Sequence, residues 1–258
     1  MPLDTPSHHL AQKTPPGGSV DAGLTALVSE LNQEMRHHSA TDVIRTALAK
    51  ITPLSLVTSF GAESVALLHL TAMVDRNIPV LFVDTEMMFT ETLVYQQEVA
   101  ERLGLRNLRI LRSAHIAQQD PDGTLHKTNP DRCCNLRKTE PLQSALAGSN
   151  GWLTGRKRFQ SGTRAHLEFF EVESETGRIK VNPLAYWAAE DVAEYIAENR
   201  LPRHPLVAQG FPSIGCAPCT SPVQEGEDIR AGRWRETAKD ECGIHFENGT
   251  AVRTGDLQ

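Results

Sequence analysis

The sequence predicts an α/β fold built on a parallel sheet. Three observations predict it. Leu54–Phe60 and Pro79–Thr85 are short apolar runs bounded by turn residues, the signature of buried strands. The stretches between them carry apolar residues at helical spacing. Strand and helix then alternate through residue 111, as βαβ units do.

Each element follows in order. Residues 21–50 read as two helices, from Leu24, Leu27, Val28 and Leu31 and then Val43, Ile44, Ala47 and Leu48. Leu54–Phe60 is the first strand and ends in Gly61. Glu63–Arg76 has helical periodicity, Pro79–Thr85 is the second strand, Thr90–Leu103 the next helix and Leu108–Leu111 a third strand. Ser113–Arg132 is polar, contains Pro and Gly, and reads as a loop. Asn135–Ala147 reads as a helix against the objection of Pro141, which lacks a donor. Trp152–Gly155 is a strand, and Ala188–Asn199 a helix entered through Asn182-Pro183-Leu184. The stretch from Pro202 to Pro222 is rich in Pro and Gly, and Val223–Trp234 is expected to form a short helix. Phe169, Phe170, Trp152 and Trp187 are read as packing residues.

A chain of 258 residues can bury a proper core. The first twenty residues are rich in Pro, Ser, Gly and Thr and lack an apolar core, so 1–20 is expected as a disordered tail. Residues 21–235 would form the α/β domain and 236–258 a C-terminal tail. Without an export signal or a long apolar span, the expected compartment is the reducing cytoplasm. The net charge of −6 argues against a dedicated nucleic-acid binder. Basic residues still gather at Arg137-Lys138, Arg156-Lys157-Arg158, Arg164, Arg230, Arg233 and Arg235. Such clusters suit a small anionic ligand, although any one of them alone reads better as a solvated face.

The five cysteines are Cys133 and Cys134, Cys216 and Cys219 in a C-x-x-C, and Cys242 alone. Four-cysteine zinc sites draw on two spaced knuckles, and here only the second pair has that spacing. Adjacent side chains on a regular element point in well-separated directions, so both thiolates reach one small ion only with strain. A 4Fe–4S cube offers separate iron corners, and thiolates suit either metal chemistry. The cluster is therefore favoured, with zinc and disulfides as alternatives. Cys242, in Glu241-Cys242-Gly243-Ile244-His245, reads as a reactive thiol, with a buried inert thiol as its alternative.

Ser59-Phe60-Gly61-Ala62-Glu63-Ser64 lies where the first strand turns into a helix. Such turns direct backbone N–H groups and the positive helix end at one point, and Val83-Asp84-Thr85 would face the same crevice. Alone, the turn reads more readily as plain backbone geometry.

Together these residues resemble the assimilatory sulfonucleotide reductases, and most closely the iron–sulfur adenylylsulfate (APS) reductases. The resemblance runs from Leu54 to His245 and rests on Ser59–Glu63, Cys133-Cys134 followed by Arg137-Lys138-Thr139-Glu140-Pro141-Leu142, the C-x-x-C, Arg230-Ala231-Gly232-Arg233-Trp234 and Glu241–His245. It implies an adenine-nucleotide α-hydrolase-like fold of the pyrophosphatase-loop type. By position it implies that Cys133, Cys134, Cys216 and Cys219 hold one 4Fe–4S cluster and that Lys138 lies between cluster and substrate. It implies Ser59, Phe60, Gly61, Ala62, Glu63 and Thr85 at the nucleotide, and Arg158, Arg164, Arg230 and Arg233 at the phosphosulfate. Cys242 matches the nucleophile and His245 its neighbour. Ser64 stands where the iron–sulfur type often has Asp, and Glu86 where Gly often follows Asp84-Thr85.

The implied reaction is thioredoxin-dependent reduction of APS to sulfite and AMP through an enzyme S-sulfocysteine, in assimilatory sulfate reduction and cysteine biosynthesis. The implied partners are a thioredoxin or glutaredoxin-like reductant and APS; further copies of the chain in a homo-oligomer are also expected, and neither nucleic acid nor membrane. A 3′-phosphoadenylylsulfate (PAPS) or dual-specificity reductase is the first alternative. A tRNA-thiolating enzyme would need a Ser-Gly-Gly-x-Asp-Ser loop, which Ser59–Ser64 lacks. A non-enzymatic iron–sulfur sensor would have no use for Cys242 beside an anion pocket.

Overall fold

Period-two alternation along the strands decides the layers. In the computed structural model, which describes residues 22–160 and 162–235, the strands are β1 (Leu54–Thr58), β2 (Val80–Val83), β3 (Leu108–Leu111), β4 (Gly151–Leu153), β5 (Phe170–Glu173) and β6 (Arg178–Val181). They form one six-stranded sheet in the order β3-β2-β1-β4-β6-β5. All neighbours pair in parallel except β5, which runs antiparallel to β6. Successive side chains on a strand face opposite sides. Leu54 and Leu56 of β1, with Val80 and Phe82 of β2, therefore enter a larger core. Val57, Leu81 and Val83 enter a smaller one with Trp152.

The larger core is closed by α1 (Ala22–Met35), α2 (Ala40–Lys50), α3 (Ser64–Val74), α4 (Thr90–Leu103) and α9 (Ala189–Glu198). α3 is buried along most of its length, from Val65 to Ala72. α2 starts on a capping box: Ser39 Oγ accepts from the Asp42 N–H at 3.2 Å, and the Asp42 carboxylate accepts from the Ser39 N–H. Asn32 of α1 blunts the β5 edge, bonding both the N–H and the C=O of Phe170 at 2.9 and 2.8 Å, as a further strand would. α5 (Ile116–Gln119) and α6 (Leu125–Thr128) are single turns, followed by α7 (Pro130–Cys134) and α8 (Glu140–Ala145). α8 covers the smaller core through Leu142.

Three segments differ from the sequence expectation. The loop expected through Arg132 ends early, because Asn129 caps the Arg132 N–H at 3.0 Å and Pro130 fills the first helical turn, where no donor is needed. The helix expected over Asn135–Ala147 opens with a π turn at Asn135–Thr139, where the Glu140 N–H reaches the Asn135 carbonyl. The wider turn meets the missing N–H of Pro141 without breaking the helical path. The helix expected over Val223–Trp234 does not form. Gly226 has φ +87°, and this segment instead lies beside the C-x-x-C, with Ser221 N–H to Gly232 O at 2.8 Å and Trp234 N–H to Cys219 O at 3.1 Å. The β5–β6 hairpin was not expected at all. The expected tails, 1–20 and 236–258, lie outside the described residues.

Candidate functional site

β1, β2 and β4 end together, and a cleft opens at their carboxyl ends, lined by Thr58, Ser59, Val83, Thr85, Thr154 and Gly155. Its floor is the turn from β1 into α3, which contributes Gly61, Ala62, Glu63 and Ser64. Gly61 lies close under the next wall: a Cβ there would sit 3.2 Å from the Ile214 carbonyl. Three segments supply charge. Lys138, Arg156, Lys157, Arg164, Arg230 and Arg233 all border the cleft, and Glu63 is the one carboxylate among the described lining residues.

Glu63 is held in place. Its Oε2 accepts from Lys157 Nζ at 2.9 Å and from Gln160 Nε2 at 3.1 Å, and Arg164 in turn donates to Gln160. Lys157 Nζ also donates to the Gly155 carbonyl at 2.9 Å. Burial holds the Lys157 ammonium below its ordinary range, opposed by the Glu63 carboxylate. A polyanion entering here meets a wall of cations whose acidic member is already paired, which is how a site holds a phosphorylated ligand.

The second cavity adjoins the first. Cys133 and Cys134 end α7, and the C-x-x-C lies opposite; all four thiols line one small cavity with Lys138, Arg137 and Trp234. Burial pushes the Cys133 thiol up to about 11, and the nearby thiols of Cys134, Cys216 and Cys219 add to it. Among the described residues, no group of three or more His, Cys, Asp or Glu side chains is arranged to hold a metal ion. Hydrogen bonds tie the cavity's frame together. Arg137, buried, donates to the Thr85 carbonyl at 2.8 Å and to the buried Asp120 at 2.7 Å. Met87 C=O accepts from Ala217 N–H at 2.8 Å. Thr85 Oγ1 lies 3.3 Å from Cys216 Sγ, so the end of β2 touches both cavities. Lys138 borders both as well.

Among the described residues, most of those assigned from the sequence meet here, and two do not. Phe60 adopts φ +49° and turns its ring into the core against Phe82, centroids 5.2 Å apart. It shapes the turn from beneath and does not line the cleft. Arg158 faces away: its guanidinium donates to the Leu167 carbonyl and Glu168 and stacks 4.0 Å over Tyr186. The adjacent Lys157 takes the cleft position, and the dense Arg156-Lys157-Arg158 run was the signal available for it. Glu86 has φ +58°, which explains why glycine suits that position. Trp152 is packed in the smaller core, as read, yet also borders the cleft. Cys242 and His245 lie outside the described residues.

Known proteins share both sequence and fold. Residues 53–222 match the phosphoadenosine phosphosulfate reductase domain. The chain is similar to an adenosine 5′-phosphosulfate reductase of Mesorhizobium japonicum, 44% identical over 233 residues that cover 89% of this chain and 91% of that protein. It is similar also to a phosphoadenosine 5′-phosphosulfate reductase of Gloeobacter violaceus, 43% identical over 197 residues, covering 74% and 82%. The solved phosphoadenylyl-sulfate reductase of Candida auris, a phosphate complex, superposes with a TM-score of 0.67 at 30% identity, covering 76% of this chain and 96% of that one. An FMN adenylyltransferase of Candida glabrata shares the fold at 15% identity, with a TM-score of 0.52 over 82% of this chain and 70% of that one. The adenine-nucleotide α-hydrolase-like architecture expected from the sequence is the one found.

Proposed function

The chain belongs to the phosphoadenosine phosphosulfate reductase family, and we propose that it reduces APS to sulfite and AMP at the cleft described above. It acts as an oxidoreductase on a sulfur group, in sulfate assimilation. One observation carries the reading: a cation-walled cleft at the strand ends shares Lys138 and Thr85 with a cavity lined by four thiols. An anion pocket alone suits many nucleotide enzymes, and a thiol cavity alone suits many metal proteins. Their common wall suits chemistry at the sulfur of a phosphosulfate.

The four thiols are not arranged around a single metal ion, and by their donor chemistry they would suit one 4Fe–4S cluster. Two segments face one cavity, the ligands are soft, and a cube accommodates the adjacent Cys133 and Cys134 where one metal ion does not. When bound, such a cluster would supply a compact polarising centre beside the substrate; electron transfer through it is not required. Lys138 would hold the sulfate end between the two cavities. Arg164, Arg230 and Arg233 would grip phosphate and sulfate oxygens, since guanidinium forks match them, and would stabilise charge as AMP departs. The turn from Ser59 to Glu63 and Thr85 would seat the nucleotide.

Cys242 is the proposed nucleophile. Its thiolate attacks the APS sulfur, an Sγ–S bond forms, the S–O bond to the phosphate breaks, and AMP leaves with that electron pair. His245 and the basic cleft would favour the thiolate. A thiol of a thioredoxin or glutaredoxin-like protein then attacks Cys242 Sγ and sulfite departs. The reductant's second thiol resolves the mixed disulfide, so the dithiol supplies both electrons.

The test is a single turnover. Protein mixed anaerobically with APS and no reductant should gain one sulfonate on Cys242 by mass spectrometry while releasing AMP, and should contain iron and inorganic sulfide in equal amounts. Lys138→Ala should slow adduct formation with iron content unchanged. An unchanged rate would remove Lys138 from the mechanism, and an adduct on another residue would remove Cys242.

A further inference from the structure

Gly215 immediately precedes Cys216 and stands against the Arg233 side chain. An added Cβ there would lie 2.3 Å from Arg233 Nη2 and 2.7 Å from its Cζ. The Arg233 guanidinium also lies 4.4 Å from the Trp234 ring. The slot beside Gly215 is thus filled by the guanidinium, which also contacts the indole. The strand-like bridge between Thr220 and Arg233 fixes the slot's depth, as does the Trp234 N–H bond to the Cys219 carbonyl. Arg233 Nε is buried and has no hydrogen-bond partner among the described residues. A buried unpaired N–H is costly and marks how tightly the side chain is packed here, while Arg233 as a residue borders the cleft where an anion would bind.

We propose that Gly215 is a positioning residue for substrate: its missing side chain is what lets Arg233 lie against the C-x-x-C segment, with its guanidinium at the cleft wall for a substrate oxyanion. The inference rests on the reading of the cleft as a sulfonucleotide site and adds a residue that touches no substrate itself. Two facts make it separable from folding. Gly215 does not adopt the left-handed backbone that favours glycine. The atoms that alanine would meet are the far end of a flexible side chain, which can move aside. Gly232 is the contrast, because a Cβ there would lie 2.1 Å from the Ser221 backbone carbonyl.

The experiment is a double-mutant cycle on APS binding, read by calorimetry with the intact protein and no reductant. Gly215→Ala should melt like wild type, keep its iron, and bind APS about 10- to 100-fold more weakly, the range of one or two charge-assisted hydrogen bonds. Arg233→Ala should lose a similar factor, and the double variant should bind no more weakly than Arg233→Ala alone. Free guanidinium should partly restore binding to Arg233→Ala and not to the double variant, whose methyl group fills the slot. Wild-type binding by Gly215→Ala, or losses that multiply in the double variant, would overturn the proposal. If Gly215→Ala alone unfolds, the pair still decides: a folded double variant supports the slot, and an unfolded one contradicts it. Failure of the wild type to form sulfite would count against the reductase reading and leave the binding cycle to be judged by itself.

Discussion

Lys157 sits in the cleft wall at 2% side-chain exposure, and its partner Glu63 keeps 26%. Removing one member of a buried ion pair leaves the other charge stranded in a poorly hydrated place. Lys157→Met should therefore cost about 3 kcal/mol of stability, read as a lowered denaturation midpoint. Lys157→Met with Glu63→Gln should recover most of it; equal midpoints for the single variant and wild type would refute the pairing. At this scale the sequence is informative about residue type and weak about direction. The run Arg156-Lys157-Arg158 announces cations near an anion site. Whether Lys157 or Arg158 enters the cleft depends on the short turn at Arg158–Gln160, which sends Arg158 to Glu168 and Tyr186. Phe60 fails for the same reason, since one positive φ turns its ring from cleft to core.

His204, in the segment that leads to the C-x-x-C, ties that segment to α4. His204 Nδ1 accepts the Leu206 N–H at 3.2 Å, so Nε2 carries the proton and donates to Thr92 Oγ1 of α4 at 2.9 Å. Tyr95 of α4 packs against the same ring, at 4.8 Å, and gives its hydroxyl proton to the Pro202 carbonyl. Burial lowers His204 to about 4 despite the Glu91 carboxylate, so a second proton is resisted in the fold and accepted in the unfolded chain. The unfolded chain then binds more protons between the ordinary histidine value near 6.5 and about 4. Stability is full above that window and declines as pH falls through it. Melts from pH 7 to pH 4.5 should show this slope, and His204→Gln should flatten it; an unchanged slope in the variant would assign the loss elsewhere.

Elements with strong periodicity were legible at this scale. β3 and α4 stand at their expected bounds, because each is flanked by clear turn residues. The β5–β6 hairpin was legible in principle, since Phe170-Glu-Val-Glu173 and Arg178-Ile-Lys-Val181 alternate about a turn ending in Gly177 at φ +68°. It was missed because its charged positions are buried in ion pairs, Lys180 and Arg178 with Glu173, and do not mark a solvated face. The absent helix over 223–234 has the opposite cause. Its spacing is helical, but the backbone's partners lie across the chain on Cys219 and Ser221, which no local pattern reveals.

Across the whole molecule, a chain of net charge −6 nevertheless lines one cleft, among the described residues, with Lys138, Arg156, Lys157, Arg164, Arg230 and Arg233 against the single carboxylate of Glu63. Such a cleft focuses potential and draws in anions despite the overall sign. The parallel sheet puts that cleft at the carboxyl ends of its strands, where the turn after β1 and the end of β2 converge. This placement was readable from the alternation of elements. The meeting of Cys133 and Cys134 with Cys216 and Cys219 joins segments distant in the chain; only the cysteine pattern hinted at it, and the four thiols line one cavity. What the fold does not separate is the nucleotide: relatives named for APS and for PAPS match at 44% and 43% identity. The decisive measurement is anaerobic turnover of the purified protein with thioredoxin, supplying APS or PAPS separately and assaying sulfite. The account predicts sulfite from APS with little from PAPS, and its loss in Cys242→Ser. No sulfite from either nucleotide, with the iron centre intact, would contradict it.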